Sequence, residues 1–259
     1  MEKKLYNKIF ICFILLFISV LLNGILVVRL ILSDKDEIDT DSSISISDMN
    51  IEESDILKKL EKINLERVNN LMIVAHPDDE ILWGGGHLIE DDYLVVCVTC
   101  GTREKRLVEF SEVMYQTRDS YISLSYPDRT NNNIDSWDAF ESAIIRDLSE
   151  IINYKEWNLI VTHNPDGEYG HIHHKLLNRY VTGLIKNNNL YYFGKYYTSE
   201  EIYLIDTSEW FRLSDATYKR KETVENYYPS QSGAIAMYKH IDMYENWIKA
   251  TEWENDLSM

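Results

Sequence analysis

From residue 70 onward the chain alternates short apolar runs with longer mixed stretches. LMIVA (71–75), YLVVCVT (93–99), YISLSY (121–126) and LIVTH (159–163) are runs of the kind expected for strands buried in a parallel sheet. Between them, ILWGGGHLIED, RLVEFSEVMYQT and SWDAFESAIIRDLSEIINY read as helices. This alternation predicts an α/β layered fold with a mostly parallel sheet and right-handed crossovers. Further on, NLYYFGKYY and EEIYLIDTS predict a late hairpin or extra strands, and SDATYKRKETVENYY and KHIDMYENWIKATEW predict closing helices.

The N-terminal part has a different pattern. Residues 9–28 run from Ile9 to Val28 without a charge, about the length that crosses a bilayer as a helix. Lys3, Lys4 and Lys8 precede this run, and the sequence beyond Arg29 turns acidic. The expected organisation is a cytoplasmic N-terminus (1–8), a single transmembrane anchor (9–28), an acidic tether with a linker helix (29–66) and an extracytoplasmic domain (67–259). The length of the run, and the lack of a small-x-small pattern near its end, favour an anchor over a cleaved signal peptide. Within the linker, IEESDILKKLEKINLER predicts one amphipathic helix.

Charge and cysteine content narrow the function classes. Against 26 Lys and Arg stand 43 Asp and Glu, a formal net charge of -17, which disfavours nucleic acid as a partner. Three cysteines are too few for a disulfide scaffold. Cys97 and Cys100 form a CxxC, but residues three apart on a strand point to opposite faces, so strand packing is the favoured reading.

The chemistry is concentrated at two predicted strand ends, where an open α/β sheet places its ligands. HPDDE (76–80) follows the first run, and HNPDGEYGHIHH (163–174) follows the fourth; together they hold five of the seven histidines. His76 and Asp79, three apart at a strand-to-helix turn, can converge on one divalent ion, with His171 or His174 as a third ligand from the other strand end. Asp78 would then be free to accept a proton from a water activated at the ion, and a second imidazole could stabilise a tetrahedral intermediate. Taken alone, HPDDE is equally readable as a helix N-cap and turn.

AHPDDE at 75–80, GGG at 84–86 and GEYGHIHH at 167–174 resemble the LmbE-like (PIG-L) zinc-dependent de-N-acetylases, over roughly residues 70 to 235. The resemblance implies a Rossmann-like fold, with Zn2+ or another divalent metal on His76, Asp79 and His174. It implies Asp78 as general base, His171 as the partner of the oxyanion or leaving amine, and Tyr169 reaching towards the substrate carbonyl. Arg106 matches a substrate-holding arginine, and YPSQ (228–231) matches a late element of structural character. Three departures from the family pattern stand out: His173 replaces the usual acid before the last metal histidine, Trp83 occupies a position that is usually small, where it could narrow the site or stack on a sugar ring, and the loop from Gly101 to Arg106 is short where family members often carry a longer active-site segment.

The leading expectation is a membrane-anchored, metal-dependent deacetylase acting on an N-acetylated amino sugar, lipid-linked or in a cell-surface glycan. The alternatives are an amidase acting on a non-sugar N-acyl compound and a non-catalytic zinc- or sugar-binding module.

Overall fold

The computed structural model describes residues 54–99, 101–186 and 188–253. The chain divides at Glu52/Glu53 into two units, and all of these residues belong to the second. The predicted span 9–28 and its tether lie outside the described residues, and among the described ones no helix is long and apolar enough to cross a membrane.

Six strands form the main sheet: β1 (Asn70–Val74), β2 (Tyr93–Thr99), β3 (Ser120–Tyr126), β6 (Leu159–Thr162), β7 (Leu190–Tyr192) and β8 (Ile248–Lys249), in the order β3-β2-β1-β6-β7-β8. All neighbouring pairs are parallel except β7 with β8. A small antiparallel hairpin, β4 (Arg129–Thr130) with β5 (Asn133–Ile134), stands apart. The helices are α1 (Asp55–Leu60), α2 (Asp79–Glu90), α3 (Glu104–Thr117), α4 (Glu141–Ile152), α5 (Ile172–Leu184), α6 (Asp215–Glu225) and α7 (Ser232–Tyr238).

The central strands β1 and β2 lack polar alternation because both of their faces are covered, whereas the edge strand β3 alternates. Along β1, Leu71 and Ile73 enter one apolar layer, while Met72 and Val74 enter the other. On β2, Leu94, Val96 and Val98 separate in the same way from Val95 and Cys97. Cys97 is thus a packing residue, and Cys100 lies outside the described residues. The glycines of α2 permit close approach to the sheet: a Cβ on Gly84 would lie 2.5 Å from Met72 Cε.

Chain order reverses at β1, which pairs with β2 on one side and β6 on the other. This reversal leaves a crevice at the carboxyl ends of β1 and β6. The HPDDE turn leaves β1 there, and His163 leaves β6.

Three predicted elements differ from what forms. Among the described residues the linker helix is the six residues of α1, capped by Ser54 Oγ accepting from the Leu57 N–H. EEIYLIDTS forms a single 3-10 turn, Ile202–Leu204, so no hairpin follows β7. KHIDMYENWIKATEW forms no helix from Lys239 to Trp247, and β8 and the 3-10 turn Ala250–Glu252 follow. Tertiary bonding outweighs helix propensity in that segment, because buried Glu245 accepts from the Gly86 and His87 N–H groups and from Lys221 Nζ.

Candidate active site

Each part of the site is built by a turn. After β1 the chain bends so that Asp78 adopts φ 111°, ψ -29°, a conformation that non-glycine residues rarely take. Asp79 opens α2, and its Oδ2 accepts the His76 N–H at 2.8 Å, which folds the carboxylate back beside the His76 ring. After β6, the Asn164 side chain accepts the Asp166 and Glu168 N–H groups at 3.0 Å each. Gly167 and Gly170, at φ 67° and 96°, complete a turn that swings Glu168 back under His163 and starts α5.

These turns bring together three donor atoms from HPDDE and α5. His76 Nδ1 lies 3.3 Å from Asp79 Oδ2, His174 Nε2 lies 3.4 Å from Asp79 Oδ2, and His174 Nε2 lies 3.4 Å from His76 Nδ1. Four ligands placed tetrahedrally about 2.0–2.1 Å from a zinc-like ion stand about 3.3–3.4 Å apart. The triangle therefore has the edges of one face of such a site. Its chemistry, two imidazoles and one carboxylate, suits a borderline divalent metal with further positions left open.

Glu168 is the buried support of this triangle. Its Oε2 lies 2.6 Å from His174 Nδ1 and 3.0 Å from His163 Nδ1. A carboxylate accepts both ring protons, which leaves His174 Nε2 facing the site. Burial alone would lower the His174 imidazole, but the Asp79 and Glu168 carboxylates on its two sides push it up to about 10. Burial likewise opposes ionisation of Glu168, yet His163 and His174 hold it at about 2. His163 Nε2 also lies 3.3 Å from Asp79 Oδ2, but it accepts the Ala75 N–H at 3.0 Å, so its lone pair is already engaged.

The remaining acids of HPDDE have other partners. Asp78 Oδ1 lies 3.3 Å from Arg106 Nη2, and the same guanidinium nitrogen donates to the Pro77 carbonyl. Burial, reinforced by the Asp79 charge and opposed by Arg106, pushes Asp78 well above the usual carboxylate range. Glu80 accepts the Asp78 N–H at 3.0 Å and the Tyr228 O–H at 2.6 Å, so the YPSQ element locks the turn from behind. A cleft of about 460 Å³ opens above, lined by Asp78, Trp83, Arg106, Tyr169, His171 and Tyr238 among others.

Residues 71–185 match the model of the family described as PIG-L: GlcNAc-PI de-N-acetylase. Over this stretch, less than half of its length, the chain is similar to the PIG-L family.

An uncharacterized protein of Acanthamoeba polyphaga mimivirus is 31% identical over 153 residues, 52% of this chain and 65% of that protein. The chain thus spans slightly less than two thirds of the curated relative that it matches. Among solved structures, the antimicrobial-reagent pseudoaglycone deacetylase Dbv21 superimposes with a TM-score of 0.52 at 16% identity, covering 66% of this chain and 85% of that one. A deacetylase of teicoplanin biosynthesis gives 0.52 at 13% identity, covering 66% and 90%. GalB, a 4-carboxy-2-hydroxymuconate hydratase from Pseudomonas putida, gives 0.50 at 14%, covering 67% and 84%. A shared fold at these identities does not select a reaction, since a hydratase superimposes about as well as the deacetylases.

In this chain His76, Asp79 and His174 meet, and Asp78, Tyr169 and His171 share the cleft above them. His171 caps α5, its Nδ1 accepting the His173 N–H at 3.2 Å, so the neutral ring keeps its proton on Nε2. Burial and the nearby His76 and His174 rings lower His171 to about 3. Tyr169 is 50% exposed, edge-on to His171 and His174. Trp83 is only 8% exposed and packs edge-on to Tyr196 and Tyr238, so it offers the cleft an edge of a packed aromatic group. Arg106 holds the Asp78 turn as well as lining the cleft. Sequence alone assigned no role to Glu168; its signal was an acid five residues after one strand-end histidine and six before another.

Proposed function

We propose that this chain is a metal-dependent hydrolase that removes the acetyl group from an N-acetylated amino sugar. The observation that carries the reading is the triangle of His76, Asp79 and His174 with one further acid, Asp78, beside it and open to the cleft. The family description and the two deacetylases of like fold support it. His76, Asp79 and His174 would hold the ion, and zinc is the metal that the donor set suits best. When bound, the ion would supply Lewis-acid polarisation and a lowered pKa for water.

The chain's own groups do the rest. Asp78 accepts the proton of the attacking water, and Arg106 keeps its carboxylate oriented and available as a base. His171 presents a neutral Nε2–H, fit to donate to the developing oxyanion or to pass a proton to the leaving amine. Tyr169, its phenol raised by burial and the Asp79 charge, stays protonated as a second donor. Aromatic edges from Trp83, Tyr196 and Tyr238, together with polar groups on the opposite wall, suit a sugar ring. The apolar run 9–28 supports attachment to a membrane with the domain outside the cytoplasm, where lipid-linked or cell-surface glycans are within reach. Labelling of a cysteine engineered into 33–50 by an impermeant reagent on intact cells checks that orientation.

The deciding experiment measures acetate release from N-acetylglucosamine-containing substrates, with and without a chelator. Release that stops on chelation and returns with zinc is expected. Asp78→Asn should lower turnover roughly 10²- to 10⁴-fold while leaving metal content unchanged. Full activity in that variant would overturn the assignment of the base.

A further inference from the structure

The His76 ring faces two different neighbours with its two nitrogens. Nδ1 points into the triangle, 3.3 Å from Asp79 and 3.4 Å from His174. Nε2 lies 3.0 Å from His173 Nδ1, and His173 Nε2 in turn lies 2.7 Å from the Asp135 carbonyl oxygen. A carbonyl can only accept, so the proton of neutral His173 sits on Nε2 and its Nδ1 is left as an acceptor. His76 Nε2–H must then be the donor, which leaves the lone pair of His76 on Nδ1, at the triangle.

The His173 ring is itself immobilised. It is fully buried and stacks on Trp137, with ring centroids 4.1 Å apart and planes 3° from parallel. Trp137 is anchored by its Nε1–H donating to the Pro127 carbonyl at 2.7 Å and its N–H to Asp135 Oδ1 at 2.7 Å. The carbonyl that sets the His173 tautomer and the ring that holds its plane therefore come from one segment, 127–137, which carries the β4–β5 hairpin. Asp128 Oδ1, at 3.6 Å from His76 Nε2, is beyond hydrogen-bond range.

We propose that His173 is a positioning residue for the metal site: it relays the Asp135 carbonyl through its ring to fix the tautomer and orientation of His76. This rests on the reading of His76, Asp79 and His174 as metal ligands. The two ligand imidazoles are then held by unlike supports. His174 leans on an ionised carboxylate, Glu168, and His76 on a neutral imidazole backed by a main-chain carbonyl.

The test is metal affinity of the purified, metal-stripped full chain, titrated with Zn2+ against a chromophoric chelator, with Co2+ absorption as a second readout of coordination. His173→Phe keeps the stack on Trp137 but removes the acceptor, and should weaken Zn2+ binding roughly 10- to 100-fold. His173→Asn restores an acceptor near the Nδ1 position and should recover most of that loss. The metal-free melting temperatures of both variants show whether either change acts through folding alone. Wild-type affinity in His173→Phe would overturn the proposal. So would a loss in Asp128→Asn without one in His173→Phe, or a second bound zinc in the wild type that His173→Phe abolishes. A wild type that binds no metal would instead sink the ligand assignment on which the proposal rests.

Discussion

Three consecutive acids in HPDDE have three unlike environments, and the differences come from neighbours rather than from residue type. Asp79 is flanked by imidazoles, Asp78 is buried beside an arginine, and Glu80 is held by a phenol. The backbone of Asp78, at φ 111°, costs on the order of 1–3 kcal/mol that only glycine avoids. Asp78→Gly should therefore unfold with a free energy about 1 kcal/mol above that of Asp78→Ala, in urea titrations of the two inactive variants. His174 makes a second prediction. Its metal-free imidazole is raised to about 10, so at neutral pH it carries a proton that an incoming ion must displace. Zinc affinity should rise about tenfold per pH unit between about pH 6 and 8, with close to one proton released per ion in calorimetry across buffers of different ionisation enthalpy.

Elements decide how these residues are presented. The alternation of strand and helix along 70–163 was legible because burial on both faces of a parallel sheet leaves a continuous apolar run, a local signature. The late segments were not, because their conformation depends on distant partners: Glu245 is committed to α2, and Ile248 and Lys249 pair with Tyr192 and Tyr191. Close main-chain approach holds that region together. A Cβ on Gly194 would lie 2.4 Å from the Asn246 carbonyl oxygen, and neither backbone can yield easily. Gly194→Ala should destabilise the fold by about 1–3 kcal/mol, seen as a lowered thermal midpoint. Asn164, whose side-chain NH2 donates to the Phe193 and Gly194 carbonyls, would transmit the shift to the Glu168 turn.

At the scale of the whole molecule, net charge of -17 is accommodated by placing some acids where they are protonated or paired. Asp119 shows the consequence. Its Oδ1 accepts the Tyr93 N–H at 2.8 Å, its Oδ2 is buried without a partner, and burial raises the carboxyl to about 7. In the unfolded chain the group titrates near the ordinary value of about 3.9. Between these values the folded state binds more protons, so this contribution is present at low pH and is lost as pH rises through that window. Asp119→Asn should flatten the fall in unfolding free energy from pH 5 to pH 8 by on the order of 2 kcal/mol, measured by urea unfolding at the two pH values. What the sequence determined by itself was local: where strands end, and that histidines and acids gather at two of those ends. Only the tertiary structure decided which atoms meet, by pairing β1 with β6 across nearly ninety residues of chain. That pairing supplies the Ala75 N–H that occupies His163 and brings Glu168 under His174, while the packing of 127–137 against α5 places His173 behind His76. Ring tautomers and ligand choice follow from such long-range contacts, and no spacing along the chain encodes them.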